Sequence, residues 1–459
     1  MNFWLFNVTN PDEILLRGEK PSLVRKGPYS FDEYQEKTVE NDTENFIIYR
    51  NFKRYVFNRT SSCDFCDLDD TFVVPNVPYL TAVNTLNNMP NMSNIVQSIF
   101  HVTLLAIGEH PFTAQKARFL LFEGYKDALF SLLQWLKYLP QFRDVPDRMG
   151  FFYPKNETDD GTYKIYSGRD TVENLGKIME WNGDDRLRVW NSDLCNKIKG
   201  SDGSLFPPFV SKTTILKMFV SDICRSIYAT FHSEVDVLGI RAYRFVIPRS
   251  TSDSKNPENE GFCQPTDQIF YPNSQPLYKN STSYCLPSGL LNSTKCRFGA
   301  PVVVSNPNFM FSPQEVFDSV DGLSKPNVKD DSSFLDIEPN TGAVLGVQRK
   351  LQVNVAMYNI GRVLRYLKPV IVPVLMINES AKIGDEFHDY LYKSFVTGPS
   401  LAHGFGYVFL VFGLLGSTAT VLILVGLRRR RNRVEPELEY NSQGNDFSTS
   451  QSEISSSAP

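Results

Sequence analysis

The feature of this chain that most restricts its fold is a long uncharged run near the C-terminus. Residues 404–427, GFGYVFLVFGLLGSTATVLILVGL, contain no charged side chain, and four arginines follow at 428–431. At about 1.5 Å per residue, a helix over this run would be about 36 Å long, enough to cross the hydrocarbon core of a bilayer. Because positive residues stay on the cytosolic side, we expect a transmembrane helix at 404–427 and a disordered cytoplasmic tail at 428–459.

Everything before this run has the features of an exported domain. All seven cysteines lie there. Eight Asn-X-Ser/Thr sequons, the acceptor sites for N-glycosylation, also precede the run, at Asn7, Asn41, Asn58, Asn91, Asn156, Asn280, Asn292 and Asn378. Glycosylation and disulfide formation both take place in the secretory pathway. We therefore expect residues 1–403 to form an extracellular or lumenal domain that carries glycans and disulfides.

The first residues do not supply a signal for this export. The apolar run at residues 3–6 is shorter than the core of a signal peptide and has no basic residue before it. A C-terminal span alone does not explain how the preceding residues cross a membrane. We therefore expect a further span upstream of Met1.

Alternating patterns predict that the large domain is mainly β with short helices. In VLGVQRKLQVNVAMY, residues 344–358, apolar side chains at odd positions alternate with polar ones at even positions, which is typical of a half-buried antiparallel strand. Further strands are predicted in FIIYRNFKRYVF, TYKIYSG, GIRAYRFVIP, PVVVS and KPVIVPVLMIN. Apolar side chains at helical spacing predict a cluster of short helices within residues 94–139, where packing into the core is the simplest interpretation.

No catalytic or metal-binding motif is present in the sequence. It lacks Gly-X-Ser-X-Gly, His-Glu-X-X-His, a P-loop and a strand-linked Gly-X-Gly-X-X-Gly, and its five histidines lack ligand spacing. Cys63 and Cys66 have no second pair at zinc-finger spacing, so a local disulfide is a simpler interpretation than a redox or metal role. The net charge of -4 argues against nucleic-acid binding. We predict that the chain is not an enzyme and needs no cofactor.

Several longer segments resemble the class B scavenger receptor family. They are FWLFNVTNPDEILLRGEKPSLVRKGPYSFDEY, FEGYKDALFSL, GFFYPKNETDDGTYKIYSG, LFPPFVSKTTILKMFVSDICRSIYATF, FLDIEPNTGAVLGVQRKLQVNV and PVIVPVLMINESAKIGDE, in the order of the family. The resemblance implies one large ectodomain between two spans, built as an irregular antiparallel β-barrel. It also implies a helical cluster at the end farthest from the membrane and an apolar tunnel through the core.

The resemblance also implies specific pairs and roles. It pairs Cys224 with Cys296 and Cys263 with Cys285, and with a Cys63–Cys66 bridge this leaves Cys195 unpaired. It implies a membrane receptor that binds lipids, lipoproteins or anionic phospholipid particles and mediates their uptake or transfer, with another protein as a further partner at the helical apex. The alternative is a lysosomal membrane protein that carries a hydrolase or exports lipid.

Two sequence features bear on ligand capture and location. Lys116, Arg118 and Lys126 are candidate contacts for anionic ligands, and a solvated helix face is the alternative interpretation. The tail segment EPELEYNSQGNDF contains neither an acidic dileucine nor a Tyr-X-X-apolar sorting motif. This favours the plasma membrane, with an extracellular ectodomain, over the lysosomal membrane, where the ectodomain would be lumenal.

Overall fold

The computed structural model describes residues 1–87, 99, 102–135, 147–278, 281–360 and 364–442. The chain divides into two compact units, Met1–Gly384 and Asp385–Pro459. Most of the sequence-predicted helical cluster at 94–139 is described, but residues 94–98, 100–101 and 136–139 lie outside the described residues.

The first unit is built on one large antiparallel sheet. Its order is β7-β6-β3-β2-β1-β17-β16-β15-β10-β9-β8, with β14 pairing β16 and β13 pairing β14. Two short two-stranded sheets, β4-β5 and β11-β12, lie outside it. The strands are β1 Asn2–Val8, β2 Leu23–Asp42, β3 Phe46–Phe57, β4 Thr71–Pro75, β5 Phe112–Lys116, β6 Thr158–Tyr166, β7 Ile178–Trp181, β8 Leu216–Val220, β9 Arg225–Val237, β10 Ile240–Val246, β11 Gln275–Pro276, β12 Tyr284–Cys285, β13 Leu290–Asn292, β14 Val302–Ser305, β15 Phe334–Ile337, β16 Val344–Met357 and β17 Val370–Lys382.

The first and last strands of this unit, β1 and β17, lie side by side at the centre of the sheet. β17 is an almost continuous apolar run, as expected for a strand that is covered on both faces, and it pairs with β16 on one side and β1 on the other. The main hydrophobic core lies here and includes Phe3, Leu5, Leu375 and Ile377. The prediction of a mainly β domain with short helices is confirmed.

The irregular antiparallel barrel that the resemblance implies is not closed. In the part of the chain that the structure describes, the strand order runs from β7 at one edge to β8 at the other, and these edge strands do not pair with each other. The sheet is therefore open. Closure depends on backbone hydrogen bonds between strands that are distant in sequence, and no local pattern specifies these bonds.

Strand β16 also differs from the half-buried strand that its alternation predicts. Gln352 and Asn354 are at the even positions, which the alternation predicts to be exposed and polar, yet both are fully buried. The Asn354 amide donates to the Val303 carbonyl and the Ser305 hydroxyl, both at 3.0 Å, and Gln352 accepts from the backbone N–H of Asn308 at 2.9 Å. These polar side chains can be buried because the neighbouring strand β14 and the residues that follow it supply hydrogen-bond partners.

Short helices connect the strands of the first unit. They are α1 Pro11–Arg17, α2 Val77–Asn87, α3 Ala128–Trp135, α4 Asp193–Asn196, α5 Gln314–Phe317 and α6 Val328–Asp331. Leu121 and Leu129, two of the apolar side chains at helical spacing within residues 94–139, are buried in the main core. Part of the predicted helical region is not helical, because Phe112–Lys116 forms strand β5.

The second unit is helical. It contains α7 Asp385–Tyr392, a π-helical turn Lys393–Thr397 and α8 Gly398–Ser442. The segment Asp385–Arg431 is a candidate membrane span whose most apolar 18-residue window has a mean hydropathy of 2.5. The uncharged run at 404–427 lies within α8, and the helix continues through the arginines that follow.

Candidate functional site

A cavity of about 820 Å³ lies against the large sheet of the first unit. Strands β2, β3, β8, β16 and β17 all contribute to its wall, together with the turn that follows β8. Apolar side chains form one part of the lining, and the main ones are Phe31, Met218, Phe219, Val220, Ile227, Phe334, Leu335, Val344 and Val347. Charged side chains form the other part, so the cavity combines an apolar wall with an ionic one.

Arg349 is the centre of the ionic wall. It lies on β16 directly opposite Glu379 on β17, and its guanidinium forms an ion pair with that carboxylate. Its Nη1 also lies 3.4 Å from Oδ2 of Asp222, which the ammonium of Lys155 contacts as well. Burial disfavours the charge of Arg349, but the carboxylates of Glu379 and Asp222 hold its pKa above its usual value.

The pKa values of Asp222 and Lys155 in this network are both lowered, but for different reasons. Burial disfavours ionised Asp222, but the charges of Lys155, Arg349 and Lys53 outweigh burial and hold its pKa well below the usual range. Burial lowers the pKa of Lys155, although the charge of Asp222 opposes that shift. Loss of Arg349 would therefore remove the ion-pair partner of Glu379 and leave Asp222 with less compensation.

Glu33 extends the ionic wall along β2. Its Oε1 accepts hydrogen bonds from the Gln35 amide at 2.8 Å and the Tyr55 hydroxyl at 3.3 Å, and it lies 4.0 Å from Nζ of Lys53. Burial and the nearby charge of Glu379 raise its pKa. A raised carboxyl pKa at the wall of a cavity is typical of a functional site, although ionic networks with a structural role show the same shift.

Acidic groups outnumber basic groups in the lining of the cavity. The carboxylates are Asp32, Glu33, Asp160, Asp202, Asp222 and Glu379, whereas the cations are Lys53 and Arg349. Two of these carboxylates also pair with lysines outside the lining, Asp202 with Lys37 and Asp222 with Lys155. The acidic groups that remain in excess disfavour a ligand that brings a bare carboxylate into this space and favour neutral or positively charged groups.

A pair of buried carboxyl groups, Glu109 and Asp127, lies where helices α2 and α3 begin. Glu109 is 4% exposed and accepts a hydrogen bond from the Asn76 amide at 2.9 Å. Asp127, which is 8% exposed, accepts the backbone N–H of Leu129 at 2.9 Å. Burial, the charge of Glu109 and a hydrogen bond with Glu109 raise the pKa of Asp127 to about 7.

The three candidate ligand cations are only partly brought together. Lys116 and Arg118 both contact Asp69, at 3.0 Å and 2.9 Å, and these contacts lower the pKa of the Asp69 carboxyl, the hydrogen bond from Lys116 having the largest effect. Lys126 is exposed and does not share this carboxylate. Two of the three positive charges are therefore already partly neutralised within the chain.

Three disulfides link the cysteines. They join Cys63 to Cys66, Cys224 to Cys296 and Cys263 to Cys285, and Cys195 is free and buried. These are the pairs given above from the local spacing and from the resemblance. Among the residues that the structure describes, no group of three or more His, Cys, Asp or Glu side chains could hold a metal ion.

The sequons differ in accessibility. Asn41 is exposed, whereas Asn292 is 6% exposed and uses its amide to donate to the Gln264 carbonyl at 3.0 Å. Asn7, Asn58, Asn156 and Asn378 are half-buried. Asn91 and Asn280 lie outside the described residues.

Sequence reasoning missed the ionic wall of the cavity. One signal was available, because Arg349 occupies an odd position between Val347 and Leu351, where the alternation requires an apolar side chain. An arginine on the apolar face of a strand indicates either an edge or a buried ion pair. Its partners Glu379 and Asp222 come from distant parts of the chain, and no local pattern identifies them.

Comparison with known proteins gives a consistent result. The family model described as the CD36 family matches residues 1–424. Lysosome membrane protein 2 of Mus musculus is 32% identical over 420 residues, which cover 90% of this chain and 81% of that protein. The Homo sapiens protein of the same name is 32% identical over 416 residues, or 90% of this chain and 80% of that protein. Scavenger receptor class B member 1 of Cricetulus griseus is 29% identical over 437 residues, which cover 93% of this chain and 79% of that protein.

Proposed function

The chain belongs to the CD36 family, and from this premise we propose that it is a membrane receptor that binds lipids or lipoproteins and mediates lipid uptake or transfer. The observation that carries the proposal is the cavity of about 820 Å³, whose volume is in the range of small-molecule sites. In this proposal, residues 1–403 lie outside the cytosol, 404–427 span the membrane and 428–459 form the cytoplasmic tail.

The two walls of the cavity have different roles in this proposal. Each methylene group that leaves water for the apolar wall contributes about 0.8 kcal/mol, so an acyl chain or a sterol gains several kcal/mol there. The ionic wall disfavours a free carboxylate, because six carboxylates line the cavity and only four cations balance them, Lys53 and Arg349 in the lining and Lys37 and Lys155 outside it. We therefore propose that the cavity holds neutral lipids, or lipids with a positively charged head group, in preference to free fatty acids.

Capture of larger particles is assigned to the surface. Lys126 would attract anionic phospholipid on a lipoprotein. Lys116 and Arg118 would do the same once the phospholipid competes with Asp69 for their charges. Such attraction is long-range and screened by salt, whereas retention by apolar burial is not. Contact with another protein at the helical end remains part of the proposal. The relative Scavenger receptor class B member 1 is named as a receptor, and we propose that this chain is likewise a receptor and not an enzyme.

The proposal is tested by the lipid that the protein retains. The full-length chain, purified in a neutral detergent, should release sterol or neutral acyl lipid on organic extraction, as measured by mass spectrometry. Val347→Trp fills the apolar wall and should lower the lipid-to-protein ratio, whereas Val24→Trp, at an exposed position outside the cavity, should leave it unchanged. Lipid recovery that is the same for both variants would contradict the proposal.

A second candidate function is that of a lysosomal membrane protein that carries a hydrolase or exports lipid. Its support is the identity of 32% to lysosome membrane protein 2, against 29% to scavenger receptor class B member 1. Imaging the full-length chain in cells with plasma-membrane and lysosomal markers separates the two candidates. Steady-state signal at the lysosome would favour the second one.

A further inference from the structure

A small cavity of about 120 Å³ lies beside the free cysteine, and its lining is strongly basic. Lys197 and Lys199 follow α4, Lys217 lies on the edge strand β8, and Arg225 is the first residue of β9. All four line the cavity, and Glu258 is the acidic residue that lines it with them.

Arg225 is buried, and it forms no ion pair with any carboxylate among the residues that the structure describes. It is 7% exposed, and its Nη2 donates to the Thr251 carbonyl at 2.5 Å and to Oδ1 of Asn259 at 2.8 Å. Both acceptors are neutral, and the Nε hydrogen has no acceptor within the described part of the chain. The guanidinium carbon lies 3.8 Å from the ring centroid of Phe262. Burial lowers the pKa of Arg225 to about 10.

The three lysines add to this uncompensated charge. Lys197 and Lys217 are exposed and Lys199 is half-buried. Among the residues that the structure describes, none of the three forms an ion pair within 4.0 Å. In contrast, Lys37, Lys155 and Lys212 elsewhere in the same unit each contact a carboxylate. A buried guanidinium without a counter-charge is costly, and an anion in the cavity would remove that cost.

We propose that this cavity, formed by Lys197, Lys199, Lys217 and Arg225, binds a sulfate or phosphate group. Its volume is well below that of sites for drug-sized ligands, so it accommodates a compact oxyanion and excludes an acyl chain. Arg225 lies at the end of the site where Nη2 donates to two neutral acceptors, and the other N–H groups of its planar guanidinium are donors for the oxyanion. The lysines supply mobile positive charges at the rim. The oxyanion is either a free ion or the phosphate of a larger molecule.

The site is tested by calorimetry on the full-length chain in a neutral detergent at constant ionic strength. Sodium sulfate and sodium phosphate should each bind at one site. The Lys197→Gln/Lys217→Gln variant should raise the dissociation constant about tenfold, because two nearby positive charges are lost. The matched control is Lys177→Gln/Lys382→Gln, which removes two exposed lysines outside the cavity. Both changes are at exposed positions, and unchanged thermal unfolding shows that each variant is folded.

A second titration separates the two sources of the oxyanion. Dihexanoyl phosphatidic acid, which dissolves without forming vesicles, should compete with sulfate if the site accepts an esterified phosphate, and dihexanoyl phosphatidylcholine serves as its control. Binding of the inorganic ions alone would support a free ion as the ligand. The proposal is overturned if the parent chain binds neither sulfate nor phosphate at a few millimolar, or if the cavity variant and the control variant bind them equally.

Discussion

Arg349 and Glu379 lie directly opposite each other on strands β16 and β17, and the same guanidinium lies 3.4 Å from Asp222. One arginine therefore neutralises two carboxylates that come from different parts of the chain. Side-chain exposures of 27% for Arg349 and 18% for Glu379 place the pair where solvent screening is reduced but not absent. Arg349 is therefore the cation that links Glu379 and Asp222 in the ionic wall of the large cavity.

Replacing Arg349 by Met should destabilise the first unit. The change leaves Glu379 and Asp222 without their shared cation, and we expect a loss of about 2 kcal/mol in the free energy of unfolding, allowing for partial exposure. Urea denaturation followed by tryptophan fluorescence measures it. Arg349→Lys keeps the charge and should recover part of the loss.

A control for this prediction is available at the surface. Arg17 lies 3.8 Å from Glu19, and both side chains are at least half exposed. Arg17→Met should leave the free energy of unfolding unchanged within error, because exposed ion pairs contribute little. Equal effects of the two substitutions would show that the ionic wall of the cavity is not stabilising.

The carboxyl pair of Glu109 and Asp127 should make stability depend on pH. The pKa of Asp127 is raised to about 7 by burial, the charge of Glu109 and their hydrogen bond, whereas in the unfolded chain it is near the ordinary value of 3.8. As the pH rises from about 4 to 7, the unfolded chain loses this proton before the folded chain does, so the folded state is progressively destabilised. Asp127 should therefore favour stability below pH 7, by on the order of 1 kcal/mol at pH 5 relative to pH 7.5.

Comparison of variants isolates this contribution from other titrating groups. Asp127→Asn keeps an oxygen that can accept the Leu129 N–H and removes the titration. In this variant, the unfolding temperature at pH 7.5, relative to that at pH 5, should therefore be higher than it is in the parent. Asp64→Asn, at an exposed position, should preserve the pH dependence of the parent. If the unfolding temperature of Asp127→Asn depended on pH in the same way as that of the parent, the Glu109–Asp127 pair would be ruled out as the source of the pH dependence.

Local patterns predict the strands of this protein better than its site. Strand β3 coincides with the segment FIIYRNFKRYVF, because its β-branched and aromatic residues favour an extended chain. The open edge at β7 and β8 and the cavity depend on pairings between distant segments. Arg349 and Asp222 are more than a hundred residues apart, and their contact follows from the order of the strands rather than from any motif.

Asp69 should restrain the capture of anionic particles. It contacts both Lys116 and Arg118, so Asp69→Asn releases two positive charges. Cells that express this variant should take up anionic phosphatidylserine vesicles about twofold more than cells with the parent, and the gain should decrease as salt is raised. Lys126→Glu should have the opposite effect, and neutral vesicles serve as the control. An unchanged uptake in both variants would exclude this surface from ligand capture.

The accessibility of the sequons leads to a final prediction about N-glycans. A glycan on Asn41 extends into solvent, whereas one on Asn292 would have to displace the hydrogen bond from its amide to the Gln264 carbonyl and emerge from a buried position. Loss of that bond without replacement costs about 1–3 kcal/mol in a buried site. In full-length protein expressed in animal cells, Asn41→Gln should therefore lower the apparent mass on a gel, and Asn292→Gln should not. Treatment with a deglycosidase should abolish the difference between Asn41→Gln and the parent. If Asn292→Gln removed one glycan, the buried hydrogen bond would not be present when the chain is modified.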